Sequence, residues 1–156
     1  MQDYLPKQIV DRRGQVLHRV GPHDTDYDDA QLQFADLREA NLQGAHFDGA
    51  DLRGADLRHA DLYWAMLSDA NVAQADLRGA QLQGAGLYGT RFVNAWLQGA
   101  NFGPDNLGGK TDLSEAVLTG AEYDPKTRFP EGFDPEAAGM IRRFRDPNQA
   151  RPLDHA

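Results

Sequence analysis

The residues with chemistry to offer are few and scattered. Cysteine is absent, which removes disulfides, thiolate metal sites and a cysteine nucleophile. The five histidines are His18, His23, His46, His59 and His155, and no two have the spacing of a metalloprotease pair. No G-x-S-x-G elbow is present to expose a serine nucleophile. Gly108-Gly109-Lys110-Thr111 ends like a phosphate-binding loop, but Gly103 and Gly108, which have the required separation, are followed by Gly109 rather than lysine. Asp24-Thr25-Asp26-Tyr27-Asp28 alternates carboxylates as a calcium loop does. Its sixth position is Asp29, where the turn needs glycine, and its twelfth is Ala35, where a bidentate glutamate is needed. A solvated acidic turn is the simpler reading. The sequence therefore points to no catalytic, cofactor-binding or metal-binding set, and to a protein that is not an enzyme.

What remains is a set of carboxylates, arginines and aromatics whose meaning depends on the elements that position them. The chain has 156 residues, 24 acidic against 16 basic, and a mean hydropathy of −0.64. That length bounds it to one domain with or without tails. No apolar run is long enough for a membrane-spanning helix. Met1-Gln2-Asp3-Tyr4-Leu5-Pro6 shows no leader, so a cytoplasmic location is expected.

From Ala30 to Gly109 the chain repeats every five residues. Leu32, Leu37, Leu42, Phe47 and their successors to Phe102 and Leu107 make sixteen large apolar residues without a miss. Ala stands two residues before each in fourteen of sixteen units, the exceptions being Thr90 and Asp105, and the residue between is mostly Asp or Asn. A helix turning 100° per residue would spiral such a row around its surface. A flat strand would flip it from face to face. The chain must bend once per unit, with Ala and the large residue inside and the bend often at glycine. A wall that bends continuously around an apolar interior is a solenoid.

Units such as Ala35-Asp36-Leu37-Arg38-Glu39 and Ala50-Asp51-Leu52-Arg53-Gly54 resemble the A(D/N)LXX pentapeptide repeat. The resemblance implies an all-β solenoid: a right-handed quadrilateral β-helix with four units per coil. One inserted residue, Lys110, is expected before three further units run to Pro125, giving nineteen units and about five coils. The recurrence of Asp-Leu-Arg at 36–38, 56–58 and 76–78 supports a coil of twenty. Residues 1–29 are expected to form an N-terminal cap, with a β-hairpin over 7–20 broken by Gly21-Pro22, and an acidic loop. Residues 30–125 form the β-helix and 126–146 a C-terminal cap, with 147–156 a loose tail. In that cap Phe129 and Phe133 plug the last coil. Asp134 and Pro135 start a short α-helix whose apolar face is Ala137, Met140, Ile141 and Phe144. The segment Tyr123–Pro135 resembles the closing tail of many cyanobacterial and chloroplast members of the family.

With the interior accounted for, function belongs to the outward columns. Stacking by twenty sets Asp36, Asp56 and Asp76 beside Arg38, Arg58 and Arg78, a ladder of exposed ion pairs contributing ~0–1 kcal/mol each or a mixed-charge docking strip. Tyr63, Trp64 and Met66, with Tyr88 one coil above, form an outward aromatic group of the kind enriched at protein interfaces. Trp96 extends that surface beside the Asp76 column. Asp105 takes the place of an inward Ala, so either its corner opens to water or its carboxylate accepts backbone hydrogen bonds. The reading that follows is a non-enzymatic protein–protein interaction scaffold, regulatory or assembly-related, in a cyanobacterium. It would act as a monomer or weak dimer, with neither nucleic acid nor membrane as partner. The alternative implied by the resemblance is a DNA mimic that binds and protects gyrase. The arginine columns interrupt the acidic strip that mimicry needs.

Overall fold

The computed structural model describes residues 7–11, 13–20 and 25–152. The Gly21-Pro22 break, the start of the acidic loop, and His23 and His155 lie outside them.

Three backbone hydrogen bonds recur through the regular units and turn the five-residue period into a tube. In the unit around Leu57, the Ala60 N–H donates to Leu57 O at 3.0 Å and closes a turn. The Leu57 N–H donates to Asp76 O in the coil above at 2.7 Å. The Asp56 N–H donates to Ala35 O in the coil below at 2.9 Å. The turn carries a positive φ at its second central residue, +57° at His59, as a type II turn demands. Four turns return the chain to its start. Parallel bridges link Gln31–Asp51–Asn71–Arg91, Asp36–Asp56–Asp76–Trp96, Asn41–Asp61–Gln81–Asn101 and Asp26–His46–Met66–Gly86, so the tube has four faces. These columns name the first, second, third and fourth face.

All fifteen large apolar positions from Leu32 to Phe102 are buried, and from Ala45 to Ala100 the small position is buried as well. Each ladder side chain removed from water contributes about 1.5–3 kcal/mol. The Asp and Asn between them cap the turns. Asp51, Asp61, Asn71 and Asn101 accept the N–H of the residue two further on, at 3.2, 3.1, 3.1 and 2.9 Å. This is the Asx geometry that favours these side chains in turns.

The corners carry a second device. Several non-glycine corner residues lay their side chains over a glycine at the corner directly above. Phe34 covers Gly54, His59 covers Gly79 and Trp64 covers Gly84. A methyl built on Gly54 would stand 2.5 Å from the Phe34 ring, closer than real contacts allow.

The repeat breaks in a different place from the one the sequence indicates. Arg91 pairs with Val117 and Trp96 with Glu122, six residues later than the regular step. The insertion is therefore 105–110, not Lys110 alone. Leu107 leaves the ladder and is 78% exposed, while Thr111 takes the inward small position at 2%. Thr111, Thr90 and Thr127 occupy small positions at irregular coils and stitch them to the coil below. The Thr127 hydroxyl donates to Leu97 O at 3.0 Å and accepts from the Gly99 N–H at 3.2 Å.

At the first end, β1 (Lys7–Val10) pairs antiparallel with β2 (Val16–Val20), and Val10 O accepts the Asp36 N–H at 2.7 Å. At the other, Phe129 stacks parallel on Phe102 at 6.1 Å and Phe133 lies 5.1 Å from Phe129. The expected helix does not form, and no helix occurs among the described residues. Asp134 does cap a turn, accepting from the Glu136 and Ala137 N–H groups at 3.0 and 3.2 Å. Gly139, at φ +83°, then ends it. Ile141–Arg142 continue as β4, parallel to β3 (Glu122–Tyr123). Of the four residues given to an apolar helix face, Met140 alone is buried, and Phe144 is 80% exposed.

Candidate functional site

Two surfaces on opposite faces differ from the polar, periodic wall. The first is the fourth face with its two flanking corners. Trp64 on the corner from the third face, Met66 on the face itself and Tyr88 on the corner toward the first face are exposed, at 45, 41 and 65%. Tyr63 is half-buried. The sequence places all four outward; the structure separates them. Tyr63 and Trp64 hold the inserted loop: the Tyr63 hydroxyl accepts the Asn106 N–H at 2.7 Å, and Trp64 Nε1–H donates to Asp105 at 2.9 Å. Asp105 also accepts from the Leu107 and Gly109 N–H groups, at 2.9 and 2.7 Å. The Trp64 indole first, and these backbone donors after it, hold its carboxyl below the usual carboxylate range. Of the two readings of Asp105, the second describes it: it organises the loop rather than sitting unpaired. Met66 and Tyr88 have no such task, and the exposed Leu107 belongs to the loop held at the Trp64 corner.

The second surface is the Asp36–Asp56–Asp76–Trp96–Glu122 column of the second face. Each Arg grips the Asp of its own unit with two nitrogens. The closest contacts are 2.8 Å for Arg38–Asp36, 2.8 Å for Arg58–Asp56 and 2.7 Å for Arg78–Asp76. The lower two also reach toward the next coil, Arg38 to Asp56 at 3.9 Å and Arg58 to Asp76 at 3.7 Å. The hydrogen bond to Asp36, with its charge, raises the Arg38 pKa. The ladder is not uniformly solvated: the Asp side chains fall from 28% exposed at Asp36 to 4% at Asp56 and 0% at Asp76.

Burial rises because the C-terminal segment lies across the upper coils. Trp96, expected outward, is only 6% exposed. The guanidinium carbons of Arg78, Arg145 and Arg151 lie 4.9, 4.3 and 4.7 Å from its ring centroid. Arg78 donates to the carbonyls of Asp146 (2.8 Å) and Gln149. Residues 146–151 are thus seated on the wall rather than forming a loose tail. Glu122 accepts from both Arg145 donors at 2.8 Å, from Arg143 at 2.9 Å and from Gln98 at 3.1 Å. Burial pushes the Glu122 pKa up, but the Arg145 and Gln98 hydrogen bonds and the charges of Arg145 and Arg143 outweigh it and hold the carboxyl low. Repeat arithmetic could not place the tail, although Trp96 in an otherwise acidic column was a visible signal.

An open groove of about 690 Å³ runs beside this segment, lined by Asp36, Arg38, Glu39, Arg58 and His59 with Pro147 and Asn148. Among the described residues no group of three or more His, Asp or Glu is placed to hold a metal ion.

A family model for pentapeptide repeats, in eight copies, matches residues 30–69 and 65–103, the same stretch that closes into four-sided coils. The chain belongs to the pentapeptide repeat family. Members of this family form right-handed quadrilateral β-helices. A pentapeptide repeat protein of the Arabidopsis thaliana thylakoid lumen is 26% identical, with 67% of this chain and 73% of that one covered and a TM-score of 0.59. One from the cyanobacterium Nostoc PCC 7120 is 33% identical over 77% of this chain and 86% of its own, with a TM-score of 0.29. QnrB1, a plasmid-mediated fluoroquinolone resistance protein, is 18% identical over 87% of this chain and 72% of its own, with a TM-score of 0.47. No match was found among curated protein sequences. Proteins of this pentapeptide repeat family are generally non-enzymatic structural or interaction proteins.

Proposed function

We propose that this pentapeptide repeat protein is a non-catalytic scaffold that docks another protein across its fourth face, at Met66, Tyr88 and the loop residue Leu107, in a regulatory or assembly role. The observation that carries the reading is the division of labour on that face. Tyr63 and Trp64 are committed to Asp105 and Asn106, whereas Met66 and Tyr88 stand exposed on a wall whose other outward positions are mostly polar. Met and Tyr are residue types enriched where proteins meet. The resemblance of Tyr123–Pro135 to a cyanobacterial cap supports a cyanobacterial setting for that role.

The acidic strip that DNA mimicry needs is not free on this surface. Asp36, Asp51, Asp56 and Asp76 each carry an arginine of their own. Comparative affinity capture tests the docking reading. A Met66→Asp/Tyr88→Ala chain is expected to keep its thermal unfolding midpoint and to lose proteins that the wild-type chain retains. Identical captured sets from the two folded chains would overturn it, and capture of gyrase by both would favour the mimic.

A further inference from the structure

The strip under the C-terminal segment is built to recognise something, and its present occupant is part of the same chain. Trp96 interrupts a column that is Asp in the three coils below it, and it gives up the Asx cap those residues provide. In exchange its ring offers a platform for guanidinium groups. Glu122, one coil above, supplies a carboxylate for the guanidinium that lies on the ring at 4.3 Å. Arg78, fixed from beneath by Asp76, turns its remaining donors toward main-chain carbonyls. The strip therefore reads two arginine side chains six positions apart, Arg145 and Arg151, and two backbone carbonyls between them, those of Asp146 and Gln149.

The occupant is held only by such polar contacts. Asp146 to Ala150 are all exposed, and no apolar side chain anchors them to the core. Segments with few buried apolar contacts open at low cost. The open groove alongside, whose mixed-charge wall holds Asp36, Glu39, Arg38 and Arg58, extends the track beyond the seated segment.

We propose that the Arg78–Trp96–Glu122 strip is a binding site for an extended peptide of another protein carrying arginines six residues apart, and that residues 143–152 of this chain occupy it in cis until such a peptide displaces them. The proposal concerns the second face, opposite the fourth face that carries Met66, and does not depend on the reading of that fourth face. Tethering gives the cis segment a high effective concentration, so the intact chain binds such a peptide weakly and a chain with a disabled segment binds it well.

The test uses full-length chains and a fluorescent peptide with the sequence of residues 143–152. An Arg145→Ala/Arg151→Ala chain is expected to bind the peptide at least tenfold more tightly than wild type. Adding Trp96→Ala is expected to abolish that binding, and a peptide with both arginines changed to alanine is expected to stay free. No binding to the folded double variant, or equal binding to all three chains, would overturn the proposal. Should the variants fail to fold, hydrogen exchange on the wild-type chain decides it: excess peptide must accelerate exchange in 146–150, and unchanged exchange would refute displacement.

Discussion

Replacing Gly54 with alanine separates two reasons for glycine at a corner. Gly44 and Gly54 have nearly the same backbone, φ +65° and +67°, so each substitution forces an alanine into the left-handed region. That costs about 1–2 kcal/mol at either position. They differ in what a methyl would meet: nothing within 4 Å at Gly44, but the Phe34 ring at 2.5 and 2.6 Å at Gly54. Phe34 must swing away and lose its packing on the coil above. It is already 37% exposed, so the loss is a fraction of full aromatic burial, about 1 kcal/mol. Gly54→Ala is therefore expected to destabilise by about 2–3 kcal/mol and Gly44→Ala by about 1–2 kcal/mol. In a double-mutant cycle, Phe34→Ala should couple to Gly54→Ala by about 1 kcal/mol and to Gly44→Ala by about zero. Urea unfolding with an unchanged m-value reads these differences. Equal costs at the two glycines, or no coupling to Phe34, would refute the idea that the Phe34 side chain requires glycine above it.

Along the Asp–Arg ladder, cost should track burial. Asp36→Ala is expected to cost about 0–1 kcal/mol for its exposed pair, and Asp76→Ala about 3–5 kcal/mol because it leaves Arg78 buried without its carboxylate. Denaturant midpoints of the two variants would show the contrast. Thr127→Val keeps the shape but strips the hydroxyl that joins Gly99 N–H and Leu97 O, and should cost about 1–3 kcal/mol in the same assay. The Glu122 carboxyl is held below its ordinary value in the folded chain, so its contribution is complete above the ordinary carboxylate range and is lost as pH falls through the lowered folded value. Hydrogen exchange in 143–151 should accordingly rise in acid before the coils open, and simultaneous loss of both would contradict this order.

The five-residue period made the tube legible because no helix or flat strand can bury one residue in five on one side. The same pattern misled where it was imitated. Asp105-Asn106-Leu107-Gly108-Gly109 scans as a sixteenth unit, yet a carboxylate at the inward small position has no place in a dry core, so the chain loops out and Thr111 resumes the column. Asp134 was legible as a cap, but helical spacing of apolar residues beyond it meant little once Gly139 stopped the turn. The aspartates between Ala and Leu scan as surface charge, and many of them are turn caps whose carboxylates also fix arginines. The net charge of −8 is largely a by-product of turn chemistry. The repeat spacing puts Trp96 on the Asp76 face but does not reveal its neighbours, because its cover comes from a segment outside the repeat.

The docking face can be tested by contact rather than by loss. Tyr88 replaced by p-benzoylphenylalanine puts a photo-reactive group at the proposed interface. Arg53 replaced in the same way puts one on the corner between the first and second faces, where the side chain is also exposed. Irradiation in a native lysate is predicted to yield a discrete covalent adduct from position 88 and none from position 53. Adducts from neither position, or the same adducts from both, would contradict a docking surface at Met66 and Tyr88.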